Sequence, residues 1–167
     1  MLITGGGSVW TSKFPKTPFS VPSTLIQRRM ASLYKVQDKR RFLIAALQQL
    51  AGSAFVSFEG DLRGTALIEA SGASGDETTA LKRNTLWPKQ DFVVLPLEAE
   101  TVGSIMEAVG GTVPRSILHI QVEKEGRLEL GLYDNFAPKA MFFGPALTPE
   151  VLENLQSDGI LSHWTER

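Results

Sequence analysis

Apolar and polar residues alternate along this chain in short blocks whose period changes from one block to the next. Ser23, behind Pro22, is a candidate N-cap for a helix through Leu25, Ile26, Met30, Leu33 and Tyr34, whose spacings share one helical face. Lys39, Arg40 and Arg41 interrupt that stripe. Phe42, Leu43, Ala46, Leu47 and Leu50 then resume it until Gly52, which predicts two helices or one bent helix. Period two follows: Ala54, Val56 and Phe58 alternate with Phe55, Ser57 and Glu59, and a second strand is expected over Thr65 to Glu69. With the turn-rich Gly60 to Gly64 between them, the two strands read as a hairpin. Ala70 to Asp76 reads as a surface loop and Glu77 to Arg83 as a helical turn.

The run Asp91 to Leu95, bounded by Pro88 and Pro96, predicts a third strand buried on both faces. Glu98 to Val109 places Val102, Ile105, Met106 and Val109 at helical spacing, with acids in the first turn and Gly110 and Gly111 at the stop. Between Ser116 and Tyr133, Leu118, Ile120 and Val122 face Leu128, Leu130 and Leu132 across a hairpin. A three-residue loop with Gly126 in the left-handed position would pair Glu123 with Arg127, Gln121 with Glu129, His119 with Gly131 and Ile117 with Tyr133. After a bend at Asp134 to Pro138, a strand at Ala140 to Phe143 extends the meander. Thr148 and Pro149 open a last helix through Val151, Leu152 and Leu155.

The order predicts an α+β fold: a largely antiparallel sheet of about six strands, with helices mainly on one face. It also suggests a duplicated helix-plus-three-strand unit. Ahead of this single domain, residues 23–167, lies an extended arm, residues 1–22. Its Gly5, Gly6, Gly7, Pro15, Pro18 and Pro22 rule out a long helix, and Val9, Trp10, Phe14 and Phe19 are its means of docking on its own domain or on a second copy. Met30 offers an alternative translation start, which would make the arm of little consequence.

Composition narrows the chemistry. With 43% hydrophobic and 21% charged residues the chain can bury a core. The absence of cysteine removes disulfides, zinc–thiolate sites and a cysteine nucleophile, and fits a cytoplasmic location. No stretch approaches the ~20 apolar residues of a membrane span, and the N-terminus lacks the pattern of a signal peptide, so no membrane partner is expected.

Charge divides the chain further. Residues 1–90 hold twelve Lys or Arg against six Asp or Glu, net +6, whereas residues 91–167 hold five against twelve, net −7. Such asymmetry points to steering and alignment of partners. In the basic half, Arg28, Arg29, Lys35, Lys39, Arg40 and Arg41 form one group. Lys82, Arg83, Trp87 and Lys89 form a second, in which Trp87 could stack on a base while the cations meet phosphates. No nucleic-acid motif accompanies them, and a solvated helix face accounts for the first group equally well.

His119 is the one candidate for acid–base chemistry, on a polar strand face with Gln121, Glu129 and Tyr133 around a small pocket beside Gly131. His163 stands at no metal-ligand spacing from it, and Gly5 to Gly7 lack the lysine and helix of a P-loop, so neither metal nor cofactor is expected. Glu59, Asp61 and Arg63 read as a hairpin turn, and Tyr133 to Phe136 as a bend favoured by Asp and Asn. The expected function is a non-catalytic binding or interaction protein, self-associating as a homodimer and recognising a protein partner. Its alternatives are a nucleic-acid-binding protein using the basic half and an enzyme with a pocket at His119.

Overall fold

A computed structural model describes residues 33–165; the arm, most of the first expected helix, and Arg28, Arg29 and Met30 lie outside them. Among the described residues the chain forms an α+β fold of three helices and seven strands in two sheets. The elements are β1 (Tyr34–Val36), α1 (Lys39–Leu50), β2 (Ala54–Gly60), β3 (Asp91–Leu97), α2 (Thr101–Val109), β4 (Ile117–Lys124), β5 (Arg127–Leu132), β6 (Met141–Phe143), α3 (Pro149–Ser157) and β7 (Leu161–His163). The larger sheet runs in the order β3-β2-β4-β5-β6 with every pair antiparallel, and β1 pairs with β7 in a separate ribbon. Tyr34 is therefore extended, opposite His163, and not helical.

The cationic run does not break α1; it opens it. Asp38 accepts a hydrogen bond from the Arg41 main-chain N–H at 3.0 Å, so its carboxylate caps the first turn and offsets three cations placed against the helix dipole. Phe42, Leu43, Ala46, Leu47 and Leu50 turn inward. They join Val102, Ile105, Met106 and Val109 of α2 and Leu152 and Leu155 of α3 in one core with Val56, Phe58, Ile120, Val122, Leu130 and Leu132 from one face of the sheet. α2 begins at Thr101, so Glu98 and Glu100 precede its first turn. α3 has the expected start, with the Thr148 hydroxyl accepting from the Val151 N–H and Pro149 in the first turn. No described helix is long and apolar enough to cross a membrane.

Thr65 to Glu69 is not a strand. Both sides of β2 are taken, by β3 and β4, which leaves no edge for a hairpin partner. Leu62 and Leu67 drop into the core instead, and the Ala66 N–H is bonded to the Ala108 carbonyl of α2 at 2.9 Å. Glu77 to Arg83 forms no helical turn either. With this strand gone, the first half of the proposed duplication has a helix and two strands, not three.

The β4–β5 hairpin exists with a different register. Glu125 and Gly126 both have positive φ (52° and 76°), a two-residue turn of the kind whose twist matches its strands, and it pairs Lys124 with Arg127. A bulge then sets Glu123 opposite Leu128 but Val122 opposite Leu130. Leu128 thereby leaves the helical core for the opposite side of the sheet, where it packs on Leu81, Phe92 and Val94. Gly131 consequently faces Gln121, not His119, and Glu129 has no cross-strand partner.

Candidate interaction site

The sheet face turned away from the helices is polar along its centre. Side chains two residues apart on a strand emerge on the same face, so His119, Gln121 and Glu123 form a row on β4, and Glu59 of β2 stands opposite His119. All four are buried. A buried carboxylate or amide needs partners, and the segment of residues 77–85 supplies them from its main chain.

This strap bends at Thr79 and Ala80 and then runs along the row. Glu123 accepts from the Thr78 hydroxyl and, at 2.8 Å, from the Ala80 N–H. Gln121 accepts from the Lys82 N–H at 3.2 Å and donates to the Lys82 carbonyl at 2.9 Å. Glu59 accepts from the N–H groups of Asn84 and Thr85, each at 2.7 Å. Leu81 alone inserts an apolar side chain, into the small cluster with Phe92, Val94 and Leu128. The period of the row on β4 thus matches that of an extended chain, and side chains take the place of a hydrogen-bonded ladder.

Beyond Thr85 the strap turns outward. Leu86 is 93% exposed and Trp87 88% exposed, and the chain returns through a cis bond at Trp87–Pro88 and Lys89 to the start of β3. Beside this tip lies a cleft of about 390 Å³, lined in part by Ile68, Ser74, Arg83, Lys89, Asp91 and Phe92. Arg83 stacks on the Phe92 ring at 4.7 Å and donates to the carbonyls of Gln90 and Gly75. Its main-chain N–H, and then Lys82 at 3.3 Å, hold the Glu77 carboxyl below the ordinary carboxylate range.

The four pocket candidates separate. His119 Nδ1 accepts from the Asp134 N–H at 3.3 Å, so the neutral ring carries its proton on Nε2 and donates to the Thr85 hydroxyl at 3.2 Å. Tyr133 fills the space expected beside Gly131: a Cβ on Gly131 would stand 2.7 Å from its ring. That ring lies 5.6 Å from the imidazole, and burial raises the phenol pKa. Gln121 lies under the strap, while Glu129 points to the opposite edge, accepting from the Ala146 N–H at 2.9 Å beside Arg127. The cleft beside the tip is not lined by His119.

The basic candidates separate as well. Arg40 donates to the Met106 and Gly110 carbonyls and closes the C-terminus of α2. Lys39 donates to Asn135 and lies 5.3 Å from the Phe136 ring centre; burial, then Arg115, lowers its pKa. Arg41 is exposed. Only the second group gathers, with Lys82, Arg83, Trp87 and Lys89 all on the strap and its tip.

Sequence reasoning passed over Glu59, Glu123, Leu81 and Leu86. Glu59 was expected both on the polar face of the first strand, where β2 places it, and in a hairpin turn with Asp61 and Arg63, which it does not join. The available signal was an acid on the polar face directly beside an apolar core residue, in Phe58–Glu59 and Val122–Glu123. No protein-family model matches this chain, and neither a curated protein nor a solved structure matches it significantly.

Proposed function

We propose that this chain is a non-catalytic interaction protein that binds a protein partner through the tip of the strap, Leu86 and Trp87. The observation behind this reading is that two adjacent large apolar side chains, 93% and 88% exposed, follow directly on a segment fastened to buried side chains. One exposed leucine would mean little. Two neighbours on an anchored segment are pre-organised, so covering them costs little ordering entropy, and tryptophan is prominent among residues that dominate interfaces. Both nitrogens of His119 are spent inside the fold, which favours binding over acid–base catalysis. Lys39 and Arg40 are likewise spent on internal acceptors, which favours a protein partner over a nucleic acid.

The test is selection of binders from a displayed peptide library on the full chain, with sedimentation velocity alongside to report a second copy as partner. Binding, or self-association, should weaken at least about tenfold in Leu86→Ser and Trp87→Ser while thermal unfolding stays unchanged. Binders indifferent to both substitutions, in a chain that also stays monomeric, would refute the proposal.

A further inference from the structure

Resting on that reading, we infer that the partner presents an extended segment carrying a large apolar side chain and a carboxylate, seated along the tip and in the cleft beside it. Lys89 joins the two features, since it lines the cleft and stands two residues from Trp87. It has no ion-pair partner among the described residues. The other cations nearby are engaged, Lys82 with Glu77 and Arg83 with two carbonyls. Ile68, 49% exposed, adds apolar surface across the cleft.

Charge selects among occupants. Residues 76–91 contain Asp76, Glu77 and Asp91 against Lys82, Arg83 and Lys89, so the local surface is near neutral. A nucleic-acid backbone or an anionic bilayer draws its affinity from many free cations, whereas of the described cations here Lys89 alone is unengaged and Arg83, though without an ion pair, is held by two carbonyls. A bilayer is also too flat to enter a recess of about 390 Å³, whereas an extended polypeptide can. What the surface offers is the apolar area of Leu86, Trp87 and Ile68 beside a cleft lined by the unpaired Lys89 ammonium and by Asp91, whose carboxylate is already taken by the Leu62 N–H at 3.1 Å. Its complement is a protein segment with an apolar anchor and an acid at the rim, where charge aligns and burial binds.

The experiment uses the Trp87-dependent peptides from the display selection as probes, with fluorescence anisotropy on the full chain. They should carry a carboxylate near a large apolar residue. Lys89→Glu and Ile68→Asp should each weaken binding by about tenfold, and Lys89→Arg should stay within about threefold. Amide shifts on peptide addition should include Ser74, Gly75 and Phe92. Trp87-dependent peptides that lack a carboxylate and ignore both Lys89→Glu and Ile68→Asp overturn the inference while leaving the tip's function intact. Trp87-dependent binding of oligothymidylate, of phosphatidylserine-containing vesicles or of a second copy also overturns it. Absence of any Trp87-dependent binding is the separate failure of the underlying proposal.

Discussion

Three helices close one face of the five-stranded sheet by apolar burial, whereas a single irregular strap closes part of the other through side-chain-to-main-chain hydrogen bonds. On the helical side, Phe58, Leu47 and Leu130 are fully buried, and their contribution scales with area and has no required direction. On the strap side, Glu59, Gln121 and Glu123 each serve particular N–H groups. The first arrangement holds the whole domain together. The second fixes the path of one segment, and so where Leu86 and Trp87 emerge. Directional bonds suit that task because a row of acceptors specifies the position of an extended chain along the sheet, which apolar contact alone leaves free.

If the faces differ in this way, the largest effect belongs to the helical side. Phe58→Ala should cost about 3–5 kcal/mol in urea unfolding, felt cooperatively by every probe. A cost no greater than that of a strap substitution would erase the distinction. Glu59→Ala should cost less, about 1–3 kcal/mol, because two partly buried N–H groups lose their acceptor. Its signature is local: hydrogen exchange at Asn84 and Thr85 should speed up more than at Phe58. Uniform acceleration would mean that the strap and core open as one unit.

The smallest effect lies outside both faces, at the exposed Asp61 and Arg63 pair. Hydrogen bonds from Arg63 hold the Asp61 carboxyl at about 2, against an ordinary value of 3.8. The folded state therefore favours the ionised form. Its contribution is present above the ordinary value and fades as pH falls towards 2. A carboxyl titration by NMR should show the low midpoint in the wild type and its return towards 3.8 in Arg63→Ala, with hardly any change in unfolding at neutral pH.

Much of the fold was legible because it is local. The stripes of α1, α2 and α3 repeat at helical spacing, and the apolar run beginning at Phe92 marks β3 wherever it lies in the sheet. Thr65 to Glu69 misled because strand character is decided by pairing, and β2 had no free edge. The hairpin register misled because Glu125, a non-glycine, adopts positive φ, which converts a three-residue loop into two and moves the extra residue into a bulge. The basic candidates were identified correctly as charged positions, but Arg40 caps a helix sixty-odd residues away in sequence, and no spacing announces that. Of the site itself, Trp87 and the nearby cations were readable, whereas Leu86 drew no notice as one leucine among many.

By itself, then, the sequence determined the helices, the antiparallel α+β character and the absence of cysteine chemistry, since each follows from residue type and short-range period. Tertiary structure decided which face of the sheet received the helices and that acids at Glu59 and Glu123 would be buried under residues 77–85. It also left Leu86 and Trp87 outside the core. Burial is a property of what folds back over a residue, and for this apolar pair only the path of the strap determines whether anything does.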